Sequence, residues 1–339
     1  MSGLWKPAVY AYWFVAACSA QLKQKPLAVT ILDKPLVLVR LPSGELLALE
    51  DRCPHRQVPL SQGQVTADGL QCPYHGWTFA SEGRCVKVPG LPPQACLPKV
   101  GARSFDVQEF DGLIWVRLAR HADGEQNIPR LITDLPAGSR RFLWQTSWTS
   151  NIVNALENFL DPLHTHFVHP GLVRKDNQRQ RIDAILSQTE DGFVVDYRGQ
   201  LQQSGILYRL FESPRISERA YYAQAGTTQI EYCYEDGSVV RISLHFTPES
   251  ADLTHVFATM HIENRWAPAW LLRLLVWPLL KRVASQDAHI LALQTQNMHR
   301  FPASYHASTE LDLVKAYIEQ FWLGTEMNLP QSKNISLFL

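Results

Sequence analysis

Short apolar runs open the chain's pattern: Val29-Thr30-Ile31-Leu32, Leu36-Val37-Leu38-Val39 and Leu46-Leu47-Ala48-Leu49. Asp33-Lys34-Pro35 and Pro42-Ser43-Gly44 punctuate them. Runs of this length and composition between turn residues predict strands. More strands are expected around 77–79, 85–88, 105–107 and 113–118, giving a small all-β domain over residues 1–119. Residues 120–141 are polar, broken by Gly124, Pro129, Pro136 and Gly138, and read as a linker. The period then changes. Ile152, Leu156, Phe159, Leu160 and Leu163 recur at helical spacing and predict a helix over 151–163. The polar, basic stretch 171–183 predicts a mobile loop. Alternation returns from Ala184 to Ile262, and helical stretches at about 268–298 and 308–323 finish the chain. Residues 142–339 therefore read as the α+β part of the molecule, an antiparallel sheet with helices packed on it.

Composition narrows the function. The 339 residues suit two ordinary domains, and 46% hydrophobic content supplies a sizeable core. Lys+Arg and Asp+Glu balance at 32 each. A neutral chain without a basic block is not built to bind a nucleic-acid backbone. Val9–Ala17 resembles a signal segment only faintly, since Lys6 alone precedes it and Tyr12-Trp13 is bulky. The apolar stretch Trp266–Leu280 is interrupted by Arg273, closed by Lys281-Arg282, and shorter than the ~20 residues a span needs. It reads as a buried or amphipathic helix, so no membrane span is expected and the compartment reads as cytoplasmic. Cys18, Cys85, Cys96 and Cys233 are scattered and read as small buried hydrophobes.

Cys53 and Cys72 differ, because each has a histidine nearby: Cys53-Pro54-His55-Arg56 and Cys72-Pro73-Tyr74-His75-Gly76-Trp77. Two thiolates and two imidazoles can close a zinc site. They can equally hold a [2Fe–2S] cluster in which two Cys bind one iron and two His the other. Both pairs sit on loops between strands. A second constellation lies in Glu157–Pro170, with His164, His166 and His169. Non-haem Fe(II) wants two His and one carboxylate with open positions. His164 and His169 are five residues apart, roughly 140° around an ideal helix, which is poor for chelation. Pro162 and Pro170 relieve this by moving the chain off the helical path. His166 and His169 would also share a face, and physics alone leaves both pairs open. Asp287, alone in an apolar helical context, is the favoured carboxylate, because an isolated buried one is costly unless paired or on a metal. Asp236 and Asp252, in turns, are weaker candidates.

C-P-H-R … C-P-Y-H-G-W resembles the Rieske motif of the Rieske-type non-haem iron oxygenases. N-x-x-D-x-x-H-x4-H, met by Asn158, Asp161, His164 and His169, resembles the iron-site signature of their α-subunits. The length and the opening Trp13-Phe14-Val15-Ala16 resemble the short homotrimeric monooxygenase and O- or N-demethylase branch. The resemblance implies an N-terminal Rieske domain followed by a helix-grip, START-like catalytic domain. It implies that Cys53, His55, Cys72 and His75 hold one [2Fe–2S] cluster, and that His164, His169 and Asp287 hold one mononuclear Fe(II), with His166 beside the pocket. Asp161 would bridge His164 to His75 of a neighbouring chain in a homotrimer, supported by Asn158. Gln286 departs from the acidic residue the family often carries before the ligand Asp. There is no G-x-G-x-x-G loop, so NAD(P)H would act only indirectly, through a separate reductase with or without a ferredoxin. O2 and a small organic substrate complete the expected system. The expected reaction is hydroxylation or oxidative demethylation. Ring cis-dihydroxylation and bare electron carriage are the alternatives. Phe211, Tyr221, Tyr222, Phe246 and Phe257 suggest an apolar or aromatic guest, though each is more readily a core residue.

Overall fold

Continuous buried runs build the strands of the first half of the chain, and alternating burial marks strands of the second. The computed structural model describes residues 5–339 except 93, 120–126, 176–178, 200–204, 206–212, 264–268, 302–306 and 325–326. It divides into two units, Pro7–Ile128 and Pro129–Leu339, with Trp5 and Lys6 belonging to the second. In the first unit, β1 (Trp13–Cys18), β2 (Leu27–Ile31), β3 (Lys34–Arg40), β4 (Leu46–Glu50), β9 (Ser104–Phe110) and β10 (Leu113–Arg117) form an antiparallel sheet ordered β1-β10-β9-β4-β3-β2. Between β4 and β9 the chain makes a smaller sheet from β5 (Gln64–Thr66), β6 (Gly69–Gln71), β7 (Thr78–Phe79) and β8 (Cys85–Lys87). A shared core of Val37, Val39, Leu49, Leu60, Leu70 and Phe79 includes Cys53 and Cys72. Burying each such aliphatic side chain stabilises by roughly 1.5–3 kcal/mol. The strands expected around residues 30–118 are present. Of the scattered cysteines, Cys18 and Cys85 are buried and Cys233 is half-buried; Cys96 is exposed, because it lies in the irregular segment between β8 and β9.

The second unit is an eight-stranded antiparallel sheet. Its strands are β11 (Arg140–Trp148), β12 (Arg181–Thr189), β13 (Gly192–Gly199), β14 (Arg215–Ala223), β15 (Thr227–Tyr234), β16 (Val239–Ser250), β17 (Leu253–Glu263) and β18 (Ser332–Phe338). The order is β11-β17-β16-β15-β14-β13-β12-β18, so β12 to β17 run as a meander. Among the described residues the helices are α1 (Arg130–Thr133), α2 (Ile152–Leu160), α3 (Thr165–Val168), α4 (Ala269–Leu275), α5 (Trp277–Arg300) and α6 (Lys315–Leu323). Register places Ile230 opposite Ile242, Ile242 opposite Met260, and Met260 opposite Phe142. One sheet face is therefore an apolar floor under the helices. The antiparallel sheet with helices on it is the expected architecture.

Details depart from expectation at identifiable residues. The helix expected over 151–163 stops at Leu160, because Asp161 precedes Pro162 and adopts extended backbone, φ −87 and ψ 116. Asn151 caps its other end, accepting from Asn154 N at 2.8 Å. The stretch expected over 268–298 begins before the described residues and splits into α4 and α5. Pro278 has no N–H to donate and sits in the first turn of α5. The last helical stretch shrinks to α6, and the C-terminal residues form β18 against β12, with Ile335 and Leu337 buried. β11 was also unexpected; it starts inside the segment read as a linker. The loop expected over 171–183 contains undescribed residues 176–178 and ends where β12 begins at Arg181.

Glu157 on α2 is a local liability. Burial pushes its pKa up to about 6; Lys315 opposes this, while Asp312, Asp161 and Glu319 reinforce it. A carboxyl with a folded pKa above its unfolded value of about 4.3 destabilises the fold when ionised. Its contribution is thus lost as pH rises from about 4.3 through about 6. Glu157→Gln is expected to flatten the pH dependence of Tm across that window and to raise Tm at neutral pH. Thermal unfolding at a series of pH values measures this; an unchanged slope would assign it to other groups.

Candidate metal centres

The two Cys/His loops share one backbone design. Cys53 N donates to Val58 O at 2.9 Å, and Gln57 N to Cys53 O at 2.8 Å. Cys72 N likewise donates to Trp77 O at 2.8 Å, and Gly76 N to Cys72 O at 3.2 Å. Each loop turns through a left-handed residue four positions after its cysteine, Gln57 at φ 63 and Gly76 at φ 70. The result is two equivalent tight loops with buried cysteines and more exposed histidines. The rings of His55 and His75 lie 4.6 Å apart, and Trp77 stacks on His55 at 4.6 Å. Burial pushes the Cys53 thiol up, opposed by hydrogen bonds from the His55 and Arg56 backbone and reinforced by the adjacent Cys72 thiol. Burial, then His75 and Arg56, push His55 down toward the neutral imidazole that binds metal. Its Nδ1 is buried without a hydrogen-bond partner. A single tetrahedral zinc would draw its donors to within about 4 Å of one another. Among the described residues, the only group of three or more donors within 4.8 Å of one another is elsewhere in the chain. Two adjacent buried thiols and two neighbouring imidazoles are the donor set of a [2Fe–2S] cluster with two Cys on one iron and two His on the other.

That tighter group is His164, His169 and Asp287. Asp161, freed from the helix by Pro162, accepts Leu163 N at 2.8 Å and His164 N at 3.2 Å on its carboxylate. Its own carbonyl accepts His164 Nδ1 at 2.6 Å, while the carboxylate stands 3.8 Å from that nitrogen. One turn of α3 follows. His169, at φ −120 and ψ 50 before Pro170, leaves the helical path and donates from Nδ1 to Gln286 Oε1 at 3.0 Å. Both rings thus hold their protons on Nδ1 and present Nε2 to Asp287 Oδ1, at 3.4 and 3.0 Å. His169 Nε2 and Asp287 Oδ1 are buried and, despite their separation, not aligned as a hydrogen bond. Lone pairs converging on a common point are what a cation requires. Burial disfavours the His164 imidazolium, but hydrogen bonding and charge from Asp161 and Asp287 outweigh it and push its pKa up to about 9, so at neutral pH a cation binds by displacing the proton on Nε2. Burial would raise Asp287, yet His164 and His169 hold it below the usual carboxylate range. His166 is buried but outside the trio. Asn158 Oδ1, one turn before Asp161, is buried without a hydrogen-bond partner.

The trio opens into a cavity of about 260 Å³. Alternation on the strands supplies its floor: Ile230, Tyr232 and Tyr234 from β15, and Val240, Ile242 and Leu244 from β16. Trp144, Trp148, Phe159 and Met260 add bulk, and Val276, Leu280 and Val283 close it from above. The aromatics named from sequence are not among these. Tyr222 stacks on Phe193, and Phe246 packs on Trp148 and Phe159, as core residues. Tyr221 and Phe257 fall on the opposite strand parity, and Phe211 lies outside the described residues.

Sequence reasoning also missed how the ligand loop is fastened. Buried Arg174 donates from Nη1 to Pro162 O at 2.9 Å, and its Nη2 lies 3.8 Å from Glu218 Oε1. Arg215 Nη1 donates to Glu218 Oε2 at 2.8 Å. Only the apolar neighbourhood of Arg174 could have hinted at this, since its stretch reads as basic loop. Gln286 was visible as a departure from a pattern, but its bond to His169 was not.

Paired Cys/His loops on one unit and a His–His–Asp trio over an apolar cavity on the other define a Rieske-type iron–sulphur protein with a second metal site. Residues 12–101 match the Rieske [2Fe-2S] domain, and residues 148–317 match the vanillate O-demethylase oxygenase C-terminal domain. The chain belongs to this family of Rieske oxygenases. It is 49% identical over 107 residues to the oxygenase component of dicamba O-demethylase from Stenotrophomonas maltophilia, covering 31% of this chain and 30% of the relative. It is 36% identical over 162 residues to methylxanthine N1-demethylase NdmA of Pseudomonas putida, covering 46% and 44%. The chain thus spans about half, or less, of the length of the curated relatives it matches. In three dimensions it is similar to dicamba monooxygenase bound to 3,6-dichlorosalicylic acid, with TM-score 0.79 at 23% identity over 92% of this chain and 96% of the other. Pseudomonas putida CBB5 NdmA with caffeine gives 0.77 at 23% identity over 92% and 89%. At that identity the likeness concerns the fold.

The paired loops make a direct test of their shared geometry. At Gly76 a Cβ would meet Pro89 Cγ at 2.8 Å, on top of the left-handed φ. Gly76→Ala is expected to destabilise the cluster-bearing unit by at least the ~1–2 kcal/mol of a left-handed non-glycine residue. Gln57→Gly, which relieves that same cost, is expected to leave stability equal or higher. Thermal loss of the visible absorbance distinguishes them; equal effects would refute the equivalence of the loops.

Proposed function

We propose that this chain is the oxygenase component of a multi-component monooxygenase. It receives electrons from a separate reductase, directly or through a ferredoxin, and hydroxylates or oxidatively demethylates an apolar or aromatic small molecule. The observation that carries this reading is the presence in one chain of both donor sets, the second opening into an apolar cavity. An electron carrier needs only the first. Cys53, His55, Cys72 and His75 would hold the [2Fe–2S] cluster, and His164, His169 and Asp287 the mononuclear Fe(II). When bound, these groups supply single electrons and O2 activation.

The chain's own residues do the positioning. Asp161 O and Gln286 Oε1 fix the two imidazoles with Nε2 inward. The Asp287 carboxylate completes three donors on one side, leaving the cavity side for O2 and guest. Walls of Ile242, Leu244, Met260 and Leu280 keep water away from the guest. Among the described lining residues none is Lys or Arg, so away from the iron and its imidazoles a buried anionic guest would lose hydration with no positive side chain to replace it. This favours a neutral guest. Asp161, with Asn158 beside it, serves to link the ligand loop to His75 of a neighbouring copy in a homotrimer, and the expected compartment is the cytoplasm. NAD(P)H takes part only through the reductase.

Metal analysis tests the assignment. Wild-type protein is expected to carry three irons per chain. His164→Ala, His169→Ala and Asp287→Ala should each lose one and keep the Rieske visible spectrum; Cys72→Ser should lose that spectrum. A colourless wild-type protein containing zinc would overturn the reading. With a reductase, a guest and 18O2, one labelled atom in the product marks a monooxygenase, and two mark ring cis-dihydroxylation.

Asp161→Asn separates linking from ligation. The variant should keep all three irons, because the carboxylate bonds backbone amides and stands outside the trio. Asn cannot accept from further imidazole donors with the same charge assistance. Reoxidation of the pre-reduced protein with guest and O2 should slow by at least ~10–100-fold in stopped flow, with reduction by the reductase unchanged. Wild-type reoxidation would exclude the linking role, and lost mononuclear iron would make Asp161 a support of the ligand loop.

A further inference from the structure

We propose that the corner formed by α4 and the first turns of α5 is a docking surface for an anionic lipid bilayer. The chain as a whole is neutral, with 32 basic and 32 acidic residues. Residues 269–286 break that balance: they hold Arg273, Lys281 and Arg282 and no acidic residue, together with Trp270 and Trp277. Trp270 is 67% exposed, Leu274 63% and Leu275 43%. Trp270 and Leu274, four residues apart on α4, share one helix face, with Arg273 exposed beside them. Lys281 and Arg282 are exposed at the start of α5, and Lys281 Nζ lies 5.4 Å from the Trp277 ring centre.

An apolar helix face edged by cations and carrying tryptophan is the composition of an interfacial helix. The apolar side chains enter the headgroup–acyl boundary, and the cations meet lipid phosphates. Exposed tryptophan and leucine beside arginine and lysine, with no acidic side chain among them, complement an anionic lipid surface in both apolarity and charge, which is why lipid is the occupant this surface fits. Among the described residues no helix is long and apolar enough to cross a membrane, so the contact is peripheral. The same segment faces inward as well: Val276, Leu280, Val283 and Ala284 line the cavity. A bilayer seated on Trp270 and Leu274 would place dissolved apolar molecules one helix thickness from the cavity. That consequence for substrate delivery rests on the oxygenase reading; the lipid contact does not.

The test is sedimentation of the iron-loaded protein with vesicles of phosphatidylcholine alone or mixed with phosphatidylglycerol. Binding to the mixed vesicles is expected, weakening as salt is added, with little binding to phosphatidylcholine alone. Trp270→Ser combined with Leu274→Ser, and separately Arg273→Glu combined with Arg282→Glu, should each lower the partition coefficient by at least about tenfold. Both variants should keep visible absorbance and iron content, which shows that they fold and leaves the oxygenase reading untouched. Absence of wild-type binding, or binding that neither variant weakens, overturns the proposal. So does a fall in solution mass of the Trp270/Leu274 variant by light scattering, since the patch would then be an interface between copies.

Discussion

The Asp161-Pro162 peptide is the constraint on which the convergence of His164, His169 and Asp287 depends. Two histidines five residues apart cannot chelate from an unbroken helix. Proline disfavours α geometry in the residue before it, and here α2 stops and Asp161 extends. That extension has three consequences. The Asp161 carboxylate becomes available to cap the next turn, its carbonyl meets His164 Nδ1, and the Pro162 carbonyl is presented to Arg174. Pro170 repeats the device at the other end, turning His169 toward Gln286. Two covalent restrictions thus aim two imidazoles. Asp287 then arrives from a distant segment. Its helix is held by Trp277 against Trp144 of β11 at a ring separation of 4.8 Å, and by Thr295 Oγ1 donating at 3.0 Å to the carbonyl of Thr149, just past the end of β11.

The buried charges behind the ligand loop follow from the same need. A single turn of α3 has too few internal hydrogen bonds to keep its own orientation. The Arg174–Glu218–Arg215 chain ties it to the rigid centre of the sheet. Such a chain is costly to desolvate, and removing one member strands the others. Its value is in fixing one geometry, and the Arg215 guanidinium continues it to the face of Tyr232, 3.6 Å from the ring centre, in the cavity wall.

Much of this was legible in the sequence where the signal is local. The Cys/His loops, the two prolines and the Asp287 helix all announce themselves within a few residues, and the structure brings His164, His169 and Asp287 together as expected. Strand parity was less well used: Tyr221 and Tyr222 cannot both face one cavity, and neither does. The missing pieces were those that only tertiary pairing creates. β18 is seven residues with two buried apolar side chains, too weak a pattern to stand out until β12 lies beside it. β11 hid in a polar segment because its outward positions, Arg141, Gln145 and Ser147, mask the inward Trp144, Thr146 and Trp148.

The two centres differ most in what can reach them, and burial alone sets that difference. In the first, the thiols are sealed in the core while His75 stands exposed on its loop beside Tyr74, which is 62% exposed. A protein surface can touch that edge. In the second, His169 and Asp287 are buried, and the approach runs through a cavity of aliphatic and aromatic walls. Only small molecules can enter it, and the walls stabilise those that shed water willingly. A histidine edge exposed at the surface of one unit and a cavity walled by apolar side chains have opposite surface requirements. Placing them on separate units, each with its own core, lets one chain meet both without compromising either.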